Sequence, residues 1–117
     1  MGIGTGVGLE MDRGEVHWYE FQPPDKRRPV LILTRSSALG FLNEVTIAPI
    51  TSTIRGIPSE VVIGNEDGMS QLCAINFDHI QTIPKARIGR LITHLSQDKM
   101  AEVVEAICFA LGLDNLL

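Results

Sequence analysis

The spacing of chain-breaking residues constrains this 117-residue sequence more than any other feature. Before residue 95, proline, glycine and asparagine leave apolar runs of only about four to eight residues, the usual length of β-strands. These runs fall at residues 16–21, 29–33, 45–50, 60–63, 70–75, 80–83 and 88–95. Asn-Glu-Asp-Gly at 65–68 predicts a hairpin turn. The first four-fifths of the chain therefore reads as β-structure.

The hydrophobic period changes after Ser96, which is a good helix N-cap residue. Apolar side chains then recur at helical spacing until Gly112, a residue type that often ends helices. The recurring residues are Met100, Val103, Val104, Ile107, Cys108 and Leu111. We predict a small, mostly antiparallel barrel or curled sheet with one amphipathic helix. Residues 36–43 are expected to form a loop or one helical turn, and Pro49 to mark a strand edge or bulge.

Composition predicts one packed domain. The chain is 44% apolar, with a mean hydropathy of +0.16. We expect the domain to span residues 11–117, and residues 1–10 to be a flexible leader or non-native remnant before a start at Met11. The glycines of that segment do not complete a G-x-G-x-x-G nucleotide motif. No stretch approaches the roughly 18 apolar residues of a membrane span, so we expect a cytoplasmic protein without a membrane partner.

Cysteine usage and charge narrow the function further. Cys73 and Cys108 lie in apolar contexts without clustered ligands, which favours buried thiols in a reducing compartment over a metal site. The net charge of −4 comes largely from the C-terminal segment, which has four acids (Asp98, Glu102, Glu105, Asp114) against one base. Basic clusters at Lys26, Arg27 and Arg28 and at Lys85, Arg87 and Arg90 leave room for a local basic groove.

Five segments, in this order, resemble the MazF/PemK toxin family. They are RGEVHW at 13–18, RPVLIL at 28–33, IAPITS at 47–52, DHIQTI at 78–83, and the helix with its flanks at 95–113. The resemblance covers essentially residues 11–113. It implies an SH3-like or CcdB-like small β-barrel with added helices, working as a homodimer controlled by a MazE-like antitoxin. DNA contact is expected only through the antitoxin complex.

The same resemblance implies an endoribonuclease that cuts single-stranded RNA without metal or other cofactor, leaving 2′,3′-cyclic phosphate and 5′-hydroxyl ends. Arg28 and Thr51 occupy the positions of the family's catalytic pair. An arginine suits the phosphate because it is permanently charged and bidentate. A threonine hydroxyl can hold the phosphate and orient the ribose 2′-hydroxyl.

A general base is missing from that pair, because arginine hardly deprotonates and threonine is less acidic still. His17 and His79 are the candidates, and Glu20 is a further one. A histidine or acid on a strand is, however, commonly structural or solvated. RNA contacts are predicted for Arg27, Ser52, Arg55, His79, Gln81 and Tyr19, with Phe21 as another ring on which a base could stack.

Three departures from the family pattern bear on the cleavage motif and on regulation. Gln81 stands where the family often has arginine, and His79 stands where it usually has glutamine. The loop before Arg28 is also short. Two alternatives stay open at this point: a non-catalytic SH3-like binding module, and a gyrase-poisoning toxin of the same superfamily. An arginine beside a hydroxyl pair, Thr51 and Ser52, favours the nuclease.

Overall fold

The computed structural model describes residues 11–24 and 26–116, so the expectation for residues 1–10 lies outside the described part of the chain. Seven strands and two α-helices follow one another there. They are β1 (Glu15–Glu20), β2 (Arg27–Ile32), α1 (Ser36–Leu39), β3 (Glu44–Thr51), β4 (Glu60–Ile63), β5 (Cys73–Asn76), β6 (Gln81–Pro84), β7 (Ile88–His94) and α2 (Gln97–Leu111).

The strands form one antiparallel sheet in the order β4-β5-β3-β2-β1-β7, with β6 attached to β3 beside β5. Strands β4 and β7, at the two ends of this order, do not pair with each other, so the sheet is curled but not closed. The predicted fold class is confirmed, in its curled-sheet form.

Strand β3 is shared between two neighbours along one edge. Residues Glu44 to Ile47 pair with β6, whereas Ile50 and Thr51 pair with β5. Pro49 lies between these two pairings, where a residue without a backbone N–H costs little. The proline therefore marks a break in one edge of a central strand. The groove described below opens beside this break.

The two faces of the sheet carry separate cores, because side chains alternate along each strand. One face, which we call the helix face, buries Val16, Leu31, Ala48 and Ile50 together with Val103 and Ala106 of α2. The opposite face, which we call the groove face, buries a second cluster. That cluster contains Tyr19, Val30, Ile32, Leu39, Val45, Ile47 and Ile83.

Helix α2 begins and ends as predicted. The Ser96 hydroxyl accepts a hydrogen bond from the Lys99 amide at 3.1 Å, and Gly112 ends the helix with φ of 68°. Within the described residues, no helix is long and apolar enough to cross a membrane.

The two cysteines differ in burial. Cys73 is buried, and burial followed by the charge of Asp67 raises the pKa of its thiol. Cys108 is only half-buried, so the expectation of two buried thiols is right for Cys73 alone. The difference arises because Cys108 lies on the flank of α2 and not at its contact with the sheet.

Candidate active site

A groove of about 440 Å³ opens on the groove face, beside the β3 break. We call it the Arg28 groove. Strands β2 and β3, the loop 52–59 and the segment 76–81 surround it. Its lining residues are Phe21, Arg28, Pro49, Ile50, Thr51, Thr53, Arg55, Glu60, Asn76, His79 and Gln81.

Arg28 reaches the groove because of its register in β2. Its cross-strand partner is Tyr19, and cross-strand partners project from the same face of a sheet. Arg27, one residue earlier, projects from the opposite face, where its guanidinium lies 4.3 Å from the centroid of the Trp18 ring. The two adjacent arginines are thus separated by the sheet, and Arg28 alone of the pair lines the groove.

Thr51 stands at the end of β3, where the chain turns into the loop 52–59. Its Oγ1 accepts a hydrogen bond from the Thr53 amide at 3.2 Å, an arrangement typical of threonine at a turn. The hydroxyl keeps its own hydrogen available as a donor. Thr51 and Arg28 therefore meet in one groove, as the resemblance implies.

The loop 52–59 brings Thr53 and Arg55 to the groove. The Glu60 side chain is hydrogen-bonded to the backbone of this loop. Oε1 of Glu60 accepts hydrogen bonds from the backbone amides of Arg55 (3.0 Å) and Gly56 (3.1 Å). Gly56 has φ of 70°, a conformation that glycine adopts without strain. The Glu60 amide in turn donates to the Ile57 carbonyl at 3.0 Å.

The segment after β5 forms the other wall. A 3-10 turn at Phe77–His79 begins with Asn76, whose side chain accepts from the Asp78 amide at 2.9 Å. The buried hydroxyl of Ser59 donates to Oδ2 of Asp78 at 2.6 Å. These bonds fix the turn that carries His79. Gln81 follows, with its side-chain amide donating to the His79 carbonyl at 3.3 Å.

Charge in the groove is positive at Arg28 and Arg55 and negative at Glu60. Within the described ranges, neither guanidinium forms an ion pair with a carboxylate. Each guanidinium could therefore bind a phosphate without first breaking an ion pair to a described residue. No three His, Cys, Asp or Glu side chains converge as potential metal ligands in the part of the chain that the structure describes.

Four predicted site residues do not line the groove. His17 is buried, with one ring nitrogen 2.9 Å from the Gly89 carbonyl and the other 2.7 Å from Oε1 of Glu15. Tyr19 is 6% exposed and packs edge-to-face on Phe21, so its ring offers no face to a base. Arg27 covers Trp18, and Ser52 is exposed just outside the lining.

Glu60 and Asn76 line the groove without having been predicted to do so. Glu60 and Asn76 are cross-strand partners in β4 and β5, a pairing that the sequence shows only as two polar residues at strand ends. The hairpin signal at 65–68 predicts that these strands pair. Counting outward from that turn does not give the register, because the connection, at 64–72, is long.

Residues 12–111 match the family model described as PemK-like, MazF-like toxin of type II toxin-antitoxin system. The chain belongs to the MazF/PemK toxin family. Endoribonuclease MazF3 from Mycobacterium tuberculosis is 43% identical over 90 residues, which cover 77% of this chain and 87% of that protein.

Solved MazF structures share the fold. Mycobacterium tuberculosis toxin MazF-mt6 superposes with a TM-score of 0.78 at 39% identity, covering 84% of this chain and 96% of its own. A mycobacterial endoribonuclease solved in complex with its cognate antitoxin gives a TM-score of 0.78 at 26% identity, with 88% and 96% covered. The family resemblance and the fold class predicted from the sequence are both confirmed.

Proposed function

We propose that this chain is a sequence-specific, metal-independent endoribonuclease toxin that cuts single-stranded RNA. One observation carries the proposal: Arg28 and Thr51 line the same groove, together with Arg55 and His79. The names of the chain's relatives, which include endoribonuclease MazF3, support the same activity. A groove with two cations and a hydroxyl suits a phosphodiester better than a peptide or an uncharged ligand.

The reaction we propose begins with the ribose 2′-hydroxyl. Its oxygen attacks the adjacent phosphorus while His79 accepts its proton, and the bond from phosphorus to the 5′-oxygen breaks. The departing 5′-oxygen takes a proton from water and becomes a hydroxyl, and the hydroxide left from that water takes the proton held by His79. The other fragment keeps a 2′,3′-cyclic phosphate. Arg28 stabilises the charge that builds on the phosphate oxygens, and Thr51 donates a hydrogen bond to one of them.

RNA recognition falls to the rest of the groove. Gln81 and Asn76 offer amide groups to the edges of unstacked bases, and Phe21 offers a half-buried ring for stacking. Arg55 neutralises a neighbouring phosphate. Ser52, exposed beside this lining, is available to a nucleotide that extends past the groove.

We further propose that the chain acts in the cytoplasm as a homodimer inhibited by a MazE-like antitoxin. The structure of a relative in complex with its cognate antitoxin supports that partner. Contact with DNA would occur only through the antitoxin complex. The acidic exposed side of α2 lies across the sheet from the groove and is a poor surface for RNA, which leaves the groove as the route for substrate.

The decisive experiment incubates the purified protein with a long RNA in EDTA and maps the cut sites and the chemistry of the ends. We expect discrete cuts with 2′,3′-cyclic phosphate and 5′-hydroxyl ends. Arg28→Ala should lower kcat/KM by about 100-fold or more, because a charge on the transition state loses its partner. The matched control is Arg27→Ala, since Arg27 stacks on Trp18 outside the groove.

Three results would contradict the proposal: intact RNA with folded wild-type protein, equal losses in the Arg27 and Arg28 variants, or an Arg28→Ala protein that cuts like wild type. Intact RNA would favour the non-catalytic binding module or the gyrase-poisoning toxin. Circular dichroism on each variant separates loss of chemistry from loss of fold. We expect both variants to fold, because neither arginine is buried in a core cluster.

A further inference from the structure

Ser59 anchors the end of the loop 52–59 on Asp78, but the exposed part of the loop, residues 52–58, is held mainly by Glu60. Residues 52–58 are exposed, and none of them belongs to either core cluster. Hydrophobic packing therefore does not determine their conformation. The hydrogen bonds described for residues 52–58 are the Thr53 amide to Thr51, the Arg55 and Gly56 amides to Glu60, and the Glu60 amide back to Ile57.

Glu60 is well placed to fix this loop. It is the first residue of β4, its backbone is held by pairing with Asn76 of β5, and its side chain is half-buried against the groove. One carboxylate oxygen accepts both loop amides, and hydrogen bonds to an ionised acceptor are stronger than neutral ones. The bonds thus connect a rigid strand to the backbone of Arg55, the residue that carries the loop's positive charge.

We infer that Glu60 is a positioning residue that sets the conformation of the 52–59 loop for RNA recognition. Arg55 and Thr53 then meet the RNA in a preformed arrangement. The conformational entropy lost in ordering the loop therefore does not weaken RNA binding. The role in recognition rests on the proposed RNA cleavage, whereas the loop-setting role does not. Glu60 itself acts through the loop and is not assigned to the reacting phosphate.

If Glu60 sets the loop through its hydrogen bonds, an uncharged acceptor at position 60 should still hold the loop, whereas a side chain without an acceptor should not. Glutamine at position 60 keeps a carbonyl oxygen in the same place, so Glu60→Gln should retain the loop bonds without the charge. Glu60→Ala removes the acceptor altogether. The core should survive both changes, because β4 pairs through its backbone and buries Val61 and Ile63, not Glu60.

The first measurement is amide hydrogen exchange by NMR on the protein without RNA. We expect protection of the Arg55 and Gly56 amides in wild type and Glu60→Gln, and loss of protection at both in Glu60→Ala. The matched control is Glu66→Ala, an exposed carboxylate in a turn outside the groove, which should leave both amides protected. Unchanged protection in Glu60→Ala would overturn the inference.

The second measurement is cleavage of a defined RNA. Glu60→Ala should raise KM by about tenfold, the equivalent of one strong hydrogen bond, and spread the cuts over more sites, with a much smaller change in kcat. Glu60→Gln should keep the wild-type distribution of cuts. A fall in kcat alone, or equal behaviour of the two variants, would overturn the role in recognition. If wild-type protein cuts no RNA, the proposed function fails, and the loop-setting role is decided by the amide result alone.

Discussion

Neighbouring residues of one strand have different surroundings in this chain, because they project from opposite faces of the sheet. Arg27 stabilises the structure locally by covering Trp18, whereas Arg28 presents its charge to the groove. The same alternation puts His17 on the groove face, but toward a different part of it, in a recess lined also by Glu15 and Gly89. Position along a strand, as well as face, therefore decides which side chain lines the groove.

The imidazole of His79 gives a testable prediction about a single residue. If His79 takes the proton from the 2′-hydroxyl, His79→Gln should lower kcat by about 100-fold, the lower end of the effect of a general base. KM should change little, because glutamine also offers hydrogen bonds to the RNA. Single-turnover cleavage of a defined RNA measures this. His94→Gln is the control, since His94 is exposed and bonds to the Arg13 carbonyl away from the groove. Equal kcat values for the His79 variant and wild type would remove His79 from the proton transfer.

Some residues of the site could be predicted from motifs in the sequence, whereas the position of others depends on tertiary packing. Arg28 and Thr51 followed from motif position, and their assigned roles stay predictions until the variants are measured. Tyr19 and Phe21, which alternation along a strand puts on one face, were both predicted as rings on which a base could stack. Alternation could not tell that Tyr19 is sealed beneath Phe21 at a ring distance of 4.8 Å. Burial of one ring by another is a tertiary fact that no local pattern contains.

Among the elements, the most predictable was the one whose signals are local. Helix α2 was predicted from its cap, its period and its terminal glycine, and all three are local to the helix. The strands were found at nearly the predicted residues, but their order was not predicted from periodicity. The division of β3 between β5 and β6 depends on two separate chain segments meeting at Pro49. Such pairing is set by the whole chain.

The hairpin between β4 and β5 supplies a prediction about an element. Gly68 has φ of 91°, and an added Cβ would lie 2.8 Å from Cβ of Thr93. Gly68→Ala should lower the free energy of unfolding by about 3 kcal/mol, from left-handed strain together with overpacking. Urea unfolding measures this change. Gly40→Ala is the control, because nothing lies within 4 Å of its added Cβ. A loss equal to that of the control would show that the turn relaxes.

On the scale of the whole molecule, charge is segregated across the sheet. The groove presents Arg28 and Arg55 on one face, and α2, which packs on the other, exposes Asp98, Glu102 and Glu105. The net charge of −4 therefore says little about the surface that a nucleic acid would meet. Sequence alone located the acidic segment but not its position relative to the groove.

This segregation predicts how binding responds to salt. If Arg28 and Arg55 each neutralise one phosphate, the logarithm of RNA affinity should fall with the logarithm of salt concentration with a slope of about −1.4. Arg55→Ala should bring the slope to about −0.7. Fluorescence titration of an uncleavable RNA at several salt concentrations gives both values. Arg90→Ala, which alters an exposed base on β7 outside the groove, should leave the slope unchanged. An equal effect of both variants would mean that the RNA also follows β7.

The helix that closes the hydrophobic core also gives the molecule an electrical polarity. A protein with three exposed acids on one helix, and a groove with two arginines on the other face of the sheet, will adsorb to a cationic support in a preferred orientation. On an anion-exchange bead it would attach through α2 and leave the groove facing the solvent. The same asymmetry makes the exposed acidic side of α2 a natural place for a fluorescent label or a surface tether, because α2 packs on the helix face and the groove opens on the groove face.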